Sequence, residues 1–363
     1  MRARRTTTIF LRALVVVLGT LALALLVLAL ALPSYARRKT REALDGLKGA
    51  HGDFQDVQVT LLPLRYTITH LKITRKDSLL RQPTFYAERL AMSFELGSLL
   101  HGVFRGTVDG DRVKVVLEEP PPGPDRPLPP LSKIIPVPAV VDRAQLRSAE
   151  VLYAWVHKQG WPALWAHDIE ATVENFASRP GLIDQPLIVS ARGKLQQKGT
   201  VWVTVSAQPF AERLTFTASA GAEDFDPSQM NAYLSVKQDV TLTPGSFSTK
   251  MSFRSADGRL RGVLEPHLSA TKLESAGDAG SAIKAFFGKI ALGISGPTEG
   301  TRSSGRIEVA DDLTDPKLQL APRLEKVIEN GFVLGLREAL KRTYSGKTEA
   351  SSDQQPTSLK AQK

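Results

Sequence analysis

The chain has 363 residues, 47 Lys and Arg against 37 Asp and Glu, a net charge of +10 and no cysteine. The missing thiols exclude disulfides, a thiol nucleophile, Cys-ligated zinc and iron–sulfur clusters. The charge invites a nucleic-acid reading. But eight uncompensated basic residues fall in 1–41, and five basic residues against Glu349 and Asp353 fall in 341–363. That leaves 34 basic and 35 acidic residues for 42–340, a neutral body that disfavours a nucleic-acid footprint.

A basic tail (1–12) precedes an uncharged run, Ala13 to Leu32, rich in Leu, Val and Ala. At 1.5 Å per residue these 20 residues span about 30 Å, the thickness of a bilayer core. The run exceeds the apolar region of a secretory signal, so 13–32 is read as an uncleaved single-pass anchor. Basic residues flank it almost equally on both sides, and long domains cross membranes largely regardless of charge. The tail is therefore placed in the cytoplasm and the body outside. Arg37, Arg38, Lys39 and Arg41 are then candidate contacts for anionic headgroups.

Period-two alternation begins at Val57 and sets the pattern of the body. Val57, Val59 and Leu61 form a first strand that ends at Pro63. Tyr66, Ile68 and His70 alternate with threonines, and Leu71 and Ile73 follow after a phase slip. Leu90 to Leu96 and Val113 to Leu117 complete a first β segment, 33–119. Residues 120–138 are a proline-rich extended connection.

Strands resume in a main body, 139–344: Ile169 to Val173, Leu187 to Gly193, and a Gln197-Lys198-Gly199 turn into Val201 to Val205. Leu214 to Ala218 follows, then Phe247 to Phe253, whose Asp257-Gly258 turn leads into Leu260 to Leu264. The short connections predict antiparallel neighbours. Two late helices are expected, Ser281 to Ile294 and Pro322 to Tyr344, each with one apolar face. Gly331 and Gly335 in the second suit close packing on the sheet. Arg306 to Val309 and Lys317 to Leu320 read as short strands, and 345–363 as a disordered tail.

The expected fold is therefore mainly β (α+β): an N-terminal transmembrane helix, then a long twisted antiparallel sheet or groove with helices near the C-terminus. A sheet this long with one apolar face needs a cover or an apolar ligand. Candidates for the groove or core are Val59, Ile68, Met92, Phe94, Val115, Val203, Phe216, Met251 and Phe253.

Chemistry is sparse. The six histidines show no helical metal spacing, and no nucleophile elbow occurs. Ser345 to Thr348 holds the end of a P-loop without its first glycine or strand, and Asp311, Asp312 and Asp315 fit a turn better than a calcium loop. Tyr153, Trp155, Trp161 and Trp165 are read as core packing. No catalytic residue, metal site or cofactor is assigned, and the protein is read as a non-enzyme.

Val57 to Pro63 with His70 to Ile73 is one stretch of a wider likeness. Ala91 to Leu117 with Leu99-Leu100-His101-Gly102 is a second, Asp226-Pro227 to Leu234 with 247–264 a third, and Leu313 to Leu318 a fourth. In this order, behind an apolar amino-terminal run, they resemble the AsmA-like superfamily of bacterial envelope proteins, its short members in particular. The resemblance implies a single-pass inner-membrane protein with a periplasmic β-rich body. In larger relatives that body is a long sheet with an apolar groove, linked to phospholipid transfer and outer-membrane biogenesis. The partners implied are inner-membrane phospholipid and other envelope proteins, with no nucleic acid. Relatives that bridge two membranes are far longer. The alternative is an anchored adaptor whose closed β-body meets a protein partner.

Overall fold

The computed structural model describes residues 32–80, 82–118, 135, 137–154, 163–231, 240–271, 273–275, 307–312, 335 and 339. One 13-stranded sheet dominates. Helix α1 (residues 32–45) comes first. Strands β1 (Ala50–Asp53) and β2 (Asp56–Leu61) lie end to end along β3 (Leu64–Arg75). Then β4 (Phe85–Phe94), the short helix α2 (Leu96–Leu100) and β5 (Phe104–Glu118) follow. Beyond the proline-rich connection the sheet continues with β6 (Ala139–Ala154), β7 (Ala163–Ala177), β8 (Leu187–Leu195), β9 (Gly199–Gln208) and β10 (Thr215–Phe225). It ends with β12 (Ser246–Ala256), β13 (Arg259–Ser269) and β15 (Ile307–Asp312). A separate pair joins β11 (Val240–Leu242) to β14 (Leu273–Ser275).

The sheet is mixed, which corrects the all-antiparallel expectation. β5 and β6 run parallel, from Phe104 opposite Ala139 to Glu118 opposite Ala154. A parallel pair needs a long crossover, and the proline-rich stretch supplies the chain length. The segments before and after it thus belong to one sheet. The other neighbouring strands of this sheet are antiparallel. The Asp257-Gly258 hairpin forms as expected, with φ of 51° and 78° at its two central residues. Both positive values are the signature of the turn whose twist matches the strands.

A crease crosses five strands. His70, Arg112, Ser148 and Asp168 have φ between 47° and 52° in β3, β5, β6 and β7. His70 lies between the pairs Thr69–Arg89 and Leu71–Ala87, and Arg112 between Arg89–Asp111 and Ala87–Val113. Ser148 falls between Leu146–Ala171 and Ala149–Ile169. Each strand spends one extra residue at this level, so apolar positions step by three: 68 to 71, 87 to 90, 110 to 113, 146 to 149, 166 to 169. Neighbours that slip together keep one face apolar on both sides of the crease, where a slip on one strand alone would invert it.

Among the described residues three core clusters follow. Leu44 of α1 packs with Phe54, Val57, Ile68 and Leu71. Ala87, Val113 and Ala149 form the second. Val205, Phe216, Ala218, Met251, Phe253, Leu260 and Leu264 belong to the third.

Among the described residues no helix is long and apolar enough to cross a membrane. Residues 13–31, Ser281 to Ile294, Lys317 to Leu320 and 345–363 lie outside the described residues. Of Pro322 to Tyr344, Gly335 and Ala339 are described, and both are helical and buried. A Cβ on Gly335 would stand 3.3 Å from Thr249 Oγ1 and 3.5 Å from Pro266 Cβ, so this helix meets the sheet closely there.

Candidate functional site

One transverse row shows what the registers build. Val57, Ile68, Leu90, Gly110, Leu146, Ala171, Ala191, Val203, Ala220, Met251 and Leu264 stand opposite one another across eleven strands. The next row runs Val59, Tyr66, Met92, Val108, Ala144, Val173, Val189, Val205, Ala218, Phe253 and Gly262. At about 4.8 Å per strand these rows extend about 48 Å. Between them on the other face runs Gln58, Thr67, Ala91, Asp109, Gln145, Thr172, Ser190, Thr204, Ser219, Ser252 and Val263, polar at all positions but Ala91 and Val263. A single layer therefore carries an apolar face along these rows and a mainly polar face behind them, where Thr67 and Ala91 are buried.

Cover over that face is uneven. At one end α1 packs Leu44 against Val57, Ile68 and Leu71. At the other, Ala218, Met251, Phe253 and Leu264 are buried, where Gly335 approaches Thr249, Pro266 and Phe247. Between these lids Leu146, Val151, Ile169, Ala171, Val173, Val189, Ala191 and Val203 remain half-buried. Small residues keep this floor low. Gly110 receives Leu146, and Gly193 receives Ile169, with a Cβ leaving 2.7 Å or less to those side chains.

All nine groove or core candidates lie on this face. Ile68, Phe216, Met251 and Phe253 are buried. Val59, Met92, Phe94, Val115 and Val203 are half-buried. Periodicity missed the contribution of β6, whose three-residue step hides its alternation. That step was also the available signal, since it repeats on each neighbour.

The four basic residues after the apolar run stand on α1, and two of them hold it to the sheet. Arg37 donates to the Gln55 carbonyl at 2.8 Å and pairs with Asp56 at 3.4 Å. Arg41 pairs with Asp53 at 2.8 Å and lies 4.6 Å from the Phe54 ring centre. The Arg41 hydrogen bond holds the Asp53 carboxyl below its ordinary pKa. Arg38 and Lys39 face Glu42, and both approach the Tyr35 ring.

Polar chemistry elsewhere is structural. Asp226 Oδ1 accepts from Ser228 N, Ser228 Oγ and Gly245 N, tying η1 (Pro227–Met230) to the start of β12. Asn231 bonds both the carbonyl and the amide of Leu242. His167 meets the Gln196 carbonyl at 2.9 Å and stacks on Trp165. Asp168 is held below its usual pKa by the Lys194 hydrogen bond. The aromatic cluster divides: Tyr153 pairs with Leu164 and its neighbour Leu152 with Trp165, so the two aromatic side chains alternate to opposite faces. Trp155 and Trp161 lie outside the described residues. No group of three or more metal-ligating side chains occurs among the described residues.

Compared with known proteins, the chain matches no family model and no curated protein.

Proposed function

We propose that this chain is a non-enzymatic, bilayer-anchored protein of the bacterial envelope whose apolar sheet face holds phospholipid acyl chains. It binds phospholipid, or helps to transfer it, in support of outer-membrane biogenesis. The body stands in the periplasm and the apolar run 13–32 sits in the inner membrane. The AsmA-like resemblance supports this assignment independently of the geometry.

The observation that carries the reading is the half-buried middle of the apolar face, from Leu146 to Val203, between two covered ends. A soluble surface rarely leaves so long an apolar strip in water. Each methylene of an acyl chain laid on it gains about 0.8 kcal/mol. The polar rows opposite supply the solvated back that such a trough needs.

The test uses the full chain extracted from membranes in mild detergent, with bound phospholipid measured by mass spectrometry. Ala171→Trp with Ala191→Trp fills the middle of the face. Lipid held by the anchor is common to both proteins, so the difference reports the face. The double variant is expected to lose bound phospholipid while keeping its strand signal by circular dichroism. Equal phospholipid in both proteins would overturn the reading. The closed-adaptor alternative draws on the buried end near Gly335. It predicts that equality, together with one discrete protein crosslinked in cells.

A further inference from the structure

The exposed large apolar side chains are not spread evenly. Leu62 is 85% exposed and Leu100 87%, with Leu96 at 51%, Phe104 at 42% and Val137 at 40%. All five sit at one end of the sheet. Leu62 is in the turn joining β2 to β3, where Leu61 pairs with Leu64. Arg65 pairs with Ser93, so β4 ends beside that turn, and α2 with Leu96 and Leu100 follows directly. Phe94 pairs with Gly106, so β5 begins there, and Phe104 pairs with Ala139 at the start of β6, just after Val137. The rim thus crosses neighbouring strands β2 to β6, about 19 Å at about 4.8 Å per strand. At the opposite end Leu79, Leu117 and Trp165 are exposed, none of them by half.

Helix α1 points its amino end toward the same rim. Leu44 lies against Gly52, Arg41 against Asp53 and Arg37 against Asp56, so the helix descends alongside β1 and β2 in reverse. Thr40 hydrogen-bonds the Tyr66 hydroxyl. From Thr40 the helix runs about 12 Å to Leu32. The four residues from Tyr66 back to Leu62 span about 13 Å. Leu32 and the Leu62 turn come level, and the uncharged run 13–31 joins the chain there.

We infer that this rim is a membrane-docking edge: Leu62, Leu96, Leu100, Phe104 and Val137 enter the interfacial layer of the bilayer that holds the anchor. Two fully protruding leucines on a turn and a one-turn helix are poor protein-core residues and good interfacial wedges. Phe94 and Phe104 rings, 6.2 Å apart, brace the base of the wedge. Docking sets the strands upright on the bilayer, with the mouth of the apolar face at lipid level. The inference rests on the anchoring half of the function proposed above and not on what the apolar face carries.

The cysteine-free chain allows a direct test. The full chain with Leu62→Cys, Leu100→Cys, Leu79→Cys or Leu117→Cys is labelled with an environment-sensitive fluorophore. Each is reconstituted in vesicles of phosphatidylethanolamine and phosphatidylglycerol, with and without a lipid carrying a quencher near its headgroup. Labels at 62 and 100 are expected to shift to the blue and lose most of their emission to the quencher. Labels at 79 and 117 are expected to keep theirs. Equal quenching at both ends, or none at 62 and 100, overturns the inference, and a protein occupying the rim would produce the second result. The Ala171→Trp and Ala191→Trp pair repeated with the label at 100 separates the two proposals. Rim quenching should persist even where bound phospholipid is lost.

Discussion

At Gly106 the chain has no room for a side chain. A Cβ there would lie 1.8 Å from the Ser93 carbonyl oxygen, where β4 leaves the sheet toward α2. Gly106→Ala must therefore displace backbone, not a flexible side chain. A loss of about 1–3 kcal/mol is expected, read as a lower urea midpoint with unchanged slope. Thr249 presents the opposite case. It sits on the apolar face, 1% exposed, and its hydroxyl has no hydrogen-bond partner among the described residues. An orphaned buried hydroxyl costs free energy that a methyl of the same shape does not. Thr249→Val should raise stability by about 1 kcal/mol in the same titration.

The docking of α1 shows how an element depends on charge. Asp53 is held below its ordinary pKa chiefly by the Arg41 hydrogen bond. A carboxyl shifted downward in the fold contributes its stabilisation above its unfolded pKa. That contribution is lost as pH falls through the lower, folded value. The melting temperature of Arg41→Ala should thus fall below that of the parent at neutral pH, and the gap should shrink from about pH 5 downward. The pair is exposed, so added salt should narrow the gap too. A residue remains at low pH, because Arg41 still covers the Phe54 ring. A gap independent of pH and salt would mean that packing alone holds α1. None of this docking was legible in the sequence, where Arg37 and Arg41 read simply as part of a basic collar. Their acidic partners lie 12 to 19 residues on, at the end of β1 and the start of β2, whose alternation says nothing about what covers them. The strands themselves were legible wherever alternation was strict, as in β9, β12 and β13. They were hidden where the crease breaks it, as in β6. The slip noted after His70 was the local trace of a feature shared by five strands, which one strand's periodicity cannot reveal.

At the scale of the molecule, the parallel pairing of β5 with β6 decides whether the chain is one body or two. The proline-rich connection reads as a boundary, and composition alone would divide the protein there. Yet thirteen registered residue pairs join β5 to β6 across it. The apolar rows pass through the seam as Gly110 beside Leu146 and Val108 beside Ala144. On the polar side Arg105 grips Asp142 at 2.8 Å, and Lys114 meets Glu150 at 3.8 Å. The covalent link contributes loop-closure entropy, which grows only slowly with length, whereas the ladder and the shared apolar rows are lost entirely if the halves part. A specific protease site placed between Pro122 and Pro129 should therefore be cut without separating the fragments. The two pieces should co-elute on gel filtration and unfold in a single transition at a midpoint somewhat below that of the uncut chain. Fragments that separate at micromolar concentration, or melt as two independent units, would show that the seam is a contact between two domains. Co-elution would place the apolar face on one continuous body, from the edge covered by α1 to the buried end at Met251.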